Sequence, residues 1–176
     1  MLIFRIAMSK VNFLKVEYRL EAPRQNAVCG ILDGENEHPA YTTVNPSLKW
    51  DATIVNPQTR TFQFVPVDKN IIWFKENGVD KESSCDGMIL VEQNEMIVFV
   101  ELKDISTGGG FSKAIDQLKT TIECFLANHR FEDFKVRRAY ASNRHHPYFH
   151  YSKKDEIEEF RKRLHFSLYP EATIRL

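Results

Sequence analysis

Long hydrophobic runs are missing from this chain. No stretch approaches the ~20 apolar residues that a membrane-crossing helix needs, so no membrane partner is expected. Cysteine is scarce: Cys29, Cys85 and Cys124 are an odd number with no CxxC pair. That excludes a disulfide framework or zinc knuckle as the organising principle and fits a reducing, cytoplasmic setting. Excess charge of one sign is absent too, with 24 Lys plus Arg against 24 Asp plus Glu. Bulk charge therefore advertises no nucleic-acid partner, and any such surface must come from local clustering. Internal repeats are lacking, and the sole low-complexity tract is Gly108-Gly109-Gly110. The N-terminal Met1–Ala7 segment is apolar but has neither a basic leader nor a small-residue cleavage site, so it reads as a poor signal peptide. Met8 is an alternative start.

The 176 residues suffice for one domain with a real core. Alternation of Leu14, Val16, Tyr18 and Leu20 with Lys15, Glu17 and Arg19 predicts a strand over 11–20. Residues 21–47 are rich in Gly and Pro and read as loop, with a short strand from Val28 to Leu32. Two β-prone runs, Lys49 to Val55 and Thr61 to Val67, surround Asn56-Pro57-Gln58-Thr59 and predict a hairpin. Ile71 to Lys75 is a short apolar segment, either strand or helical turn. A helix is expected from about Ser112 to Asn128, because Phe111, Ala114, Ile115, Leu118, Ile122, Phe125 and Leu126 form one apolar stripe. A strand over Phe134 to Ser142 follows. Ser152 and Asp155 then have N-cap spacing for a last helix bearing Ile157, Phe160 and Leu164, and a short strand from Ala172 to Leu176 ends the order. The economical layout is a mixed sheet with helices packed against it.

Chemistry concentrates in two apolar strands, Cys85 to Val91 and Met96 to Lys103, joined by a polar turn, with Asp86 at one outer end and Glu101 and Lys103 at the other. If that turn centres on Gln93-Asn94, Glu92 faces Glu95, and the same register sets Asp86 opposite Glu101. Directly opposed strand residues have Cβ atoms roughly 5 Å apart, a distance at which two carboxylates repel. A divalent cation between them would remove that repulsion, since Mg²⁺ prefers carboxylate oxygens. Lys103 shares a face with Glu101, and Leu102 turns away. The plain alternative is that the two acids are solvated strand caps, with Lys103 in a surface ion pair of little worth. Cys85 reads as a small buried residue, because no histidine can be paired with it.

The residues Asp86, Phe99-Val100-Glu101-Leu102-Lys103, Ala114-Ile115-Asp116-Gln117-Leu118 and Arg138-Ala139-Tyr140 resemble the PD-(D/E)XK nuclease superfamily. The resemblance implies an α/β fold: a central mixed β-sheet flanked by helices in a restriction-endonuclease-like αβββαβ core. That core would span about residues 60–145, with an extra β-rich region over 1–59 and a C-terminal helix and strand over 152–176. It further implies Asp86, Glu101 and the Leu102 carbonyl as ligands of Mg²⁺ or Mn²⁺. Lys103 would orient the attacking water and offset phosphate charge, and Gln117 would be the helix glutamine that several branches place near the site. Cys85 stands where many members have Pro, and Thr121 where some have Tyr.

The implied activity is metal-dependent hydrolysis of phosphodiesters, in DNA rather than RNA. The alternative is a non-catalytic module of the same fold that binds nucleic acid or a protein. Phosphate contacts are expected from Lys113, Arg137, Arg138, Arg144 and His145, which lie in or near the most basic part of the chain. Alternating Lys135 and Arg137 read equally well as a solvated sheet face. A homodimer is an open expectation, because cutting two strands favours two active sites and C2 pairs are the commonest assemblies.

Overall fold

A computed structural model describes residues 10–103, 110–143 and 154–176. Nine strands and two α-helices are present among them: β1 Val28–Leu32, β2 Tyr41–Thr43, β3 Ala52–Val55, β4 Phe62–Pro66, β5 Gly87–Val91, β6 Met96–Lys103, α1 Gly110–Asn128, β7 Val136–Asn143, α2 Lys154–Leu164, β8 Ser167–Tyr169 and β9 Thr173–Arg175. The fold is mixed α/β. A five-stranded sheet runs β4-β5-β6-β7-β8, and a four-stranded sheet runs β2-β1-β3-β9. In the larger sheet β4, β5 and β6 are antiparallel, whereas β7 is parallel to both β6 and β8.

Side-chain alternation along β6 shows how the layers form. Ile97 and Phe99 face α1 and join a core with Leu118, Ile122, Phe125 and Phe160. Val98, Val100 and Leu102 face the other way, into a second core with Ile31 and Ile54 of the smaller sheet and Ile174 of β9. Because β6 is apolar on both faces, it reads as one uninterrupted hydrophobic run, as strands covered on both sides do. The apolar stripe of α1 is buried as its 3.6-residue period requires: Ala114, Ile115, Leu118, Ile122 and Phe125 all face the sheet.

Several expectations are corrected here. The 11–20 segment is not a strand; it holds a 3₁₀ turn at Val16–Tyr18. Its alternating Val16 and Leu20 are 74% and 56% exposed. Val11 and Phe13 are buried instead, with their N–H groups bonded to Asn128 Oδ1 and His129 Nε2 beyond the end of the α1 stripe. The turn at Asn56–Thr59 exists, but β3 and β4 do not form a hairpin: they lie in different sheets. Asn56, fully buried, explains the turn, since its amide binds the Arg60 carbonyl and N–H and also the Asn26 carbonyl. It redirects the chain from one layer into the next. Strands β2 and β8 were not foreseen, and β9 leaves the larger sheet to pair with β3 in parallel. Before β4 the described residues contain no α-helix. Ser152 lies outside the described residues.

Phe125 is the hub of the helix-side core. Its ring meets Phe13, Phe99, His129 and Phe134 at centroid distances of 5.7, 5.4, 4.6 and 6.1 Å. Truncating it leaves a cavity ringed by aromatic groups that have no room to collapse. We expect Phe125→Ala to lower the unfolding free energy by ~3–5 kcal/mol in urea denaturation. A loss under ~1 kcal/mol would show that this cluster does not anchor α1.

Candidate active site

The β5–β6 ladder pairs Gly87 with Val100 and Met88 with Phe99. One step further along the same register, Asp86 stands opposite Glu101. Gly87 lets β4 approach closely at this point: a Cβ there would lie 2.5 Å from the Phe64 ring. Asp86 is held by its own backbone, whose carbonyl accepts the Val67 N–H at 2.9 Å, and by its Oδ2, which accepts the Leu102 N–H at 2.6 Å. In an extended strand the N–H and C=O of one residue leave by the same edge, so the Leu102 carbonyl also faces the Asp86 side.

Glu101 continues the face of Ile97 and Phe99 toward α1 and is only 1% exposed. Apart from the Lys103 contact, neither carboxylate oxygen has a partner among the described residues. Lys103 Nζ stands 2.5 Å from Oε1 as an ion pair, and that ammonium is the one group among them that holds the carboxylate charge. A buried carboxylate so sparsely partnered is costly.

The lysine is fixed from the helix. Lys103 Nζ donates to Gln117 Oε1 at 2.8 Å, and Gln117 Nε2 donates to the Ser84 carbonyl at 3.0 Å. One turn later Thr121 accepts the Cys85 N–H at 2.8 Å and donates to the Gln117 carbonyl. Gln117 and Thr121, spaced i and i+4, thus pin the approach to Asp86 against α1. Gln117 rests in the sequence on resemblance alone. Thr121 shows there only as a departure from that resemblance, although its spacing from Gln117 was visible.

Burial pushes the Asp86 carboxyl up to about 7; the Leu102 N–H and Lys103 oppose this, and Asp33 and Asp68 add to it. Burial, then the Asp86 charge, pushes Glu101 up to about 9, with Lys103 pulling the other way. Without a cation both acids therefore resist ionising together. Burial and the Glu101 charge also drive the Cys85 thiol well above its ordinary value, which leaves it an inert buried residue rather than a nucleophile.

The remaining expected contacts are scattered. Lys113 is exposed and lies four residues before Gln117, about 6 Å along the helix. Arg137 and Arg138 sit opposite Ile97 and Val98, whereas Glu101 sits opposite Ala141. That puts them ~10–13 Å down the strand from the acids. Arg137 binds the carbonyls of Phe131, Phe134 and His165 and lies over the Phe131 ring. Arg138 binds the Arg175 carbonyl. Both side chains thus tie strand ends together. Arg144 and His145 lie outside the described residues. Among the described residues no helix is long and apolar enough to cross a membrane.

The raised carboxyls have a consequence for stability. Between its ordinary value of 4.5 and about 9, Glu101 is protonated when folded and ionised when unfolded. The folded state then binds more protons, so stability is greatest below the unfolded value and falls as pH rises through that window. In EDTA we expect the Tm to decline from about pH 5 to about pH 9, and Glu101→Gln to flatten that decline. Equal slopes in both proteins would contradict the burial of an ionisable Glu101. Comparison of the chain with protein-family models, curated proteins and solved structures gives no match in any of the three.

Proposed function

We propose that the chain is a metal-dependent nuclease that hydrolyses phosphodiester bonds, in DNA rather than RNA. The observation that carries this reading is Glu101: buried, its Oε2 without a partner among the described residues, its Oε1 met by the Lys103 ammonium, and a second carboxylate opposite. A fold that wanted only stability would not set a half-buried acid opposite a fully buried one. The order of three antiparallel strands, a helix and a fourth strand parallel to the third supports this reading for the βββαβ part of the implied core, although the described residues hold no α-helix before β4.

The donor set suits Mg²⁺ or Mn²⁺. Asp86 and Glu101 would hold the ion, with the Leu102 carbonyl facing the same edge. Among the described residues no three His, Cys, Asp or Glu side chains gather closely enough to hold one. Two carboxylates leave the remaining positions to water and phosphate, which is how Mg²⁺ is commonly held. When bound, the ion would lower the pKa of its water and offset phosphate charge. Lys103, locked by Gln117, keeps its ammonium beside that pair and offsets charge building on the phosphoryl oxygens. Lys113, one turn further out on α1, offers a phosphate contact. The cytoplasm as the site of action and a homodimer for cutting both strands belong to the same proposal.

The test is cleavage of linear, supercoiled, branched and single-stranded DNA, and of RNA, with Mg²⁺, Mn²⁺ or EDTA. We expect cleavage with either metal and none in EDTA. Asp86→Asn and Lys103→Ala should each lower the rate at least ~100-fold without lowering the Tm. Unchanged cleavage in either variant removes that residue's role. Binding of DNA without cleavage would make the chain a binding module instead.

A further inference from the structure

A third acid from the smaller sheet stands near enough for its charge to bear on this pair. Asp33 follows the last residue of β1 and is exposed, and its carboxylate has no hydrogen bond or ion pair among the described residues. Two tethers fix where it sits. Its N–H donates to Asp51 Oδ2 at 2.9 Å, and the Asp51 carbonyl accepts the Ser142 hydroxyl at 2.8 Å. Ser142 pairs with Leu102, between Glu101 and Lys103. On the other side Lys69 Nζ donates to the carbonyls of Gly34 and His38 at 3.0 and 3.1 Å, closing the loop that Asp33 opens. The residue before Lys69, Asp68, gives its N–H to the Cys85 carbonyl at 3.1 Å. Asp33 is thus roped to the neighbour of each acid in the pair. The loop is tight: a Cβ on Gly34 would lie 2.1 Å from the His38 carbonyl oxygen.

The charge of Asp33 bears on both acids, adding to the push on Asp86 and on Glu101. Asp68 also lies near, but Lys81 Nζ meets its Oδ1 at 3.0 Å and Ser84 donates to the same oxygen. Among the described residues Asp33 brings a negative charge without an ion pair to a place where Lys103 is the one cation against Glu101.

We propose that Asp33 is the outer carboxylate of the cation site, accepting hydrogen bonds from water on a divalent ion held by Asp86 and Glu101. This rests on the reading given under Proposed function. Direct contact is not required of it, since the three acids do not converge closely enough to share one ion. Partners of this outer kind commonly change metal affinity 10–100-fold. The two-layer architecture then has a role in the chemistry, because the smaller sheet supplies an acid beside the pair on the larger one.

The experiment is Mn²⁺ binding by calorimetry and by electron paramagnetic resonance, without nucleic acid. We expect Asp33→Asn to weaken Mn²⁺ binding ~10-fold with the Tm in EDTA not lowered. Asp86→Asn should abolish binding, and Asp68→Asn, whose charge is already matched by Lys81, should change it much less. Unaltered affinity in Asp33→Asn together with loss in Asp86→Asn overturns the role of Asp33 and leaves the cation site standing. Equal weakening in Asp33→Asn and Asp68→Asn also overturns it, because any rim charge would then serve. If the unaltered protein binds no Mn²⁺, the cation site and this inference fall together.

Discussion

Two carboxylates, Glu101 buried and Asp86 half-buried, face each other at the end of the β5–β6 pair, and the surrounding structure is arranged around that repulsion. Asp86 and Glu101 stand one step beyond the Gly87–Val100 end of the ladder that carries the central hydrophobic strands. Neither can move away without breaking a register that also sets Met88 and Phe99 into the helix-side core. The strain is therefore held by packing. Tens of Å² of apolar surface per side chain, at ~25 cal/mol per Å², offset it. Water does not relieve it, because Glu101 is 1% exposed. What remains is an electronegative point with a fixed ammonium at its rim, in a medium where each interaction is stronger than in water.

Helix α1 turns that point into a shaped site. Its apolar stripe docks it on the sheet, and the flank of the same helix presents Gln117 and Thr121 to the strand ends. One element thus sets the position of Lys103 and of the chain entering Asp86. Had the helix packed one residue out of phase, about 100° of rotation would have carried Gln117 away from both. The hydrophobic period and the placement of the polar groups are the same constraint seen on two faces.

Much of this could be read from the residues, for identifiable reasons. The Asp86–Glu101 opposition followed from turn symmetry, because hairpin register depends only on local counting and is indifferent to what lies beyond. The α1 stripe followed from period. What failed depended on partners distant in the chain. Asn56–Thr59 has turn chemistry, and a turn is there, but nothing in those residues says that β4 joins a different sheet from β3. Alternation over 11–20 was real but unused, since Phe13 finds its place beside Trp73 and Phe125 instead. Arg137 and Arg138, expected as phosphate contacts from local clustering, also bind backbone carbonyls that the clustering did not announce. Their carbonyl partners lie up to 37 residues away, beyond any local pattern.

Asp33 illustrates the same limit at the site itself. Sequence placed a strand at Val28 to Leu32 and nothing more, so the acid after it was one among many. Its relevance arises from three long-range hydrogen bonds, through Asp51, Ser142 and Lys69, that fold the smaller sheet's loop over the end of the larger sheet. Lys69 adopts φ of +63° in doing so. For a residue with a side chain that conformation costs on the order of 1 kcal/mol. The cost is borne where the backbone must turn sharply while the ammonium reaches two carbonyls. A loop serving only as a connection would have relaxed there, for instance by placing glycine at that position. A tight glycine within the Asp33 loop and a lysine clamp from a strained residue outside it hold the segment that carries this acid, and both fix where that charge stands relative to Asp86 and Glu101.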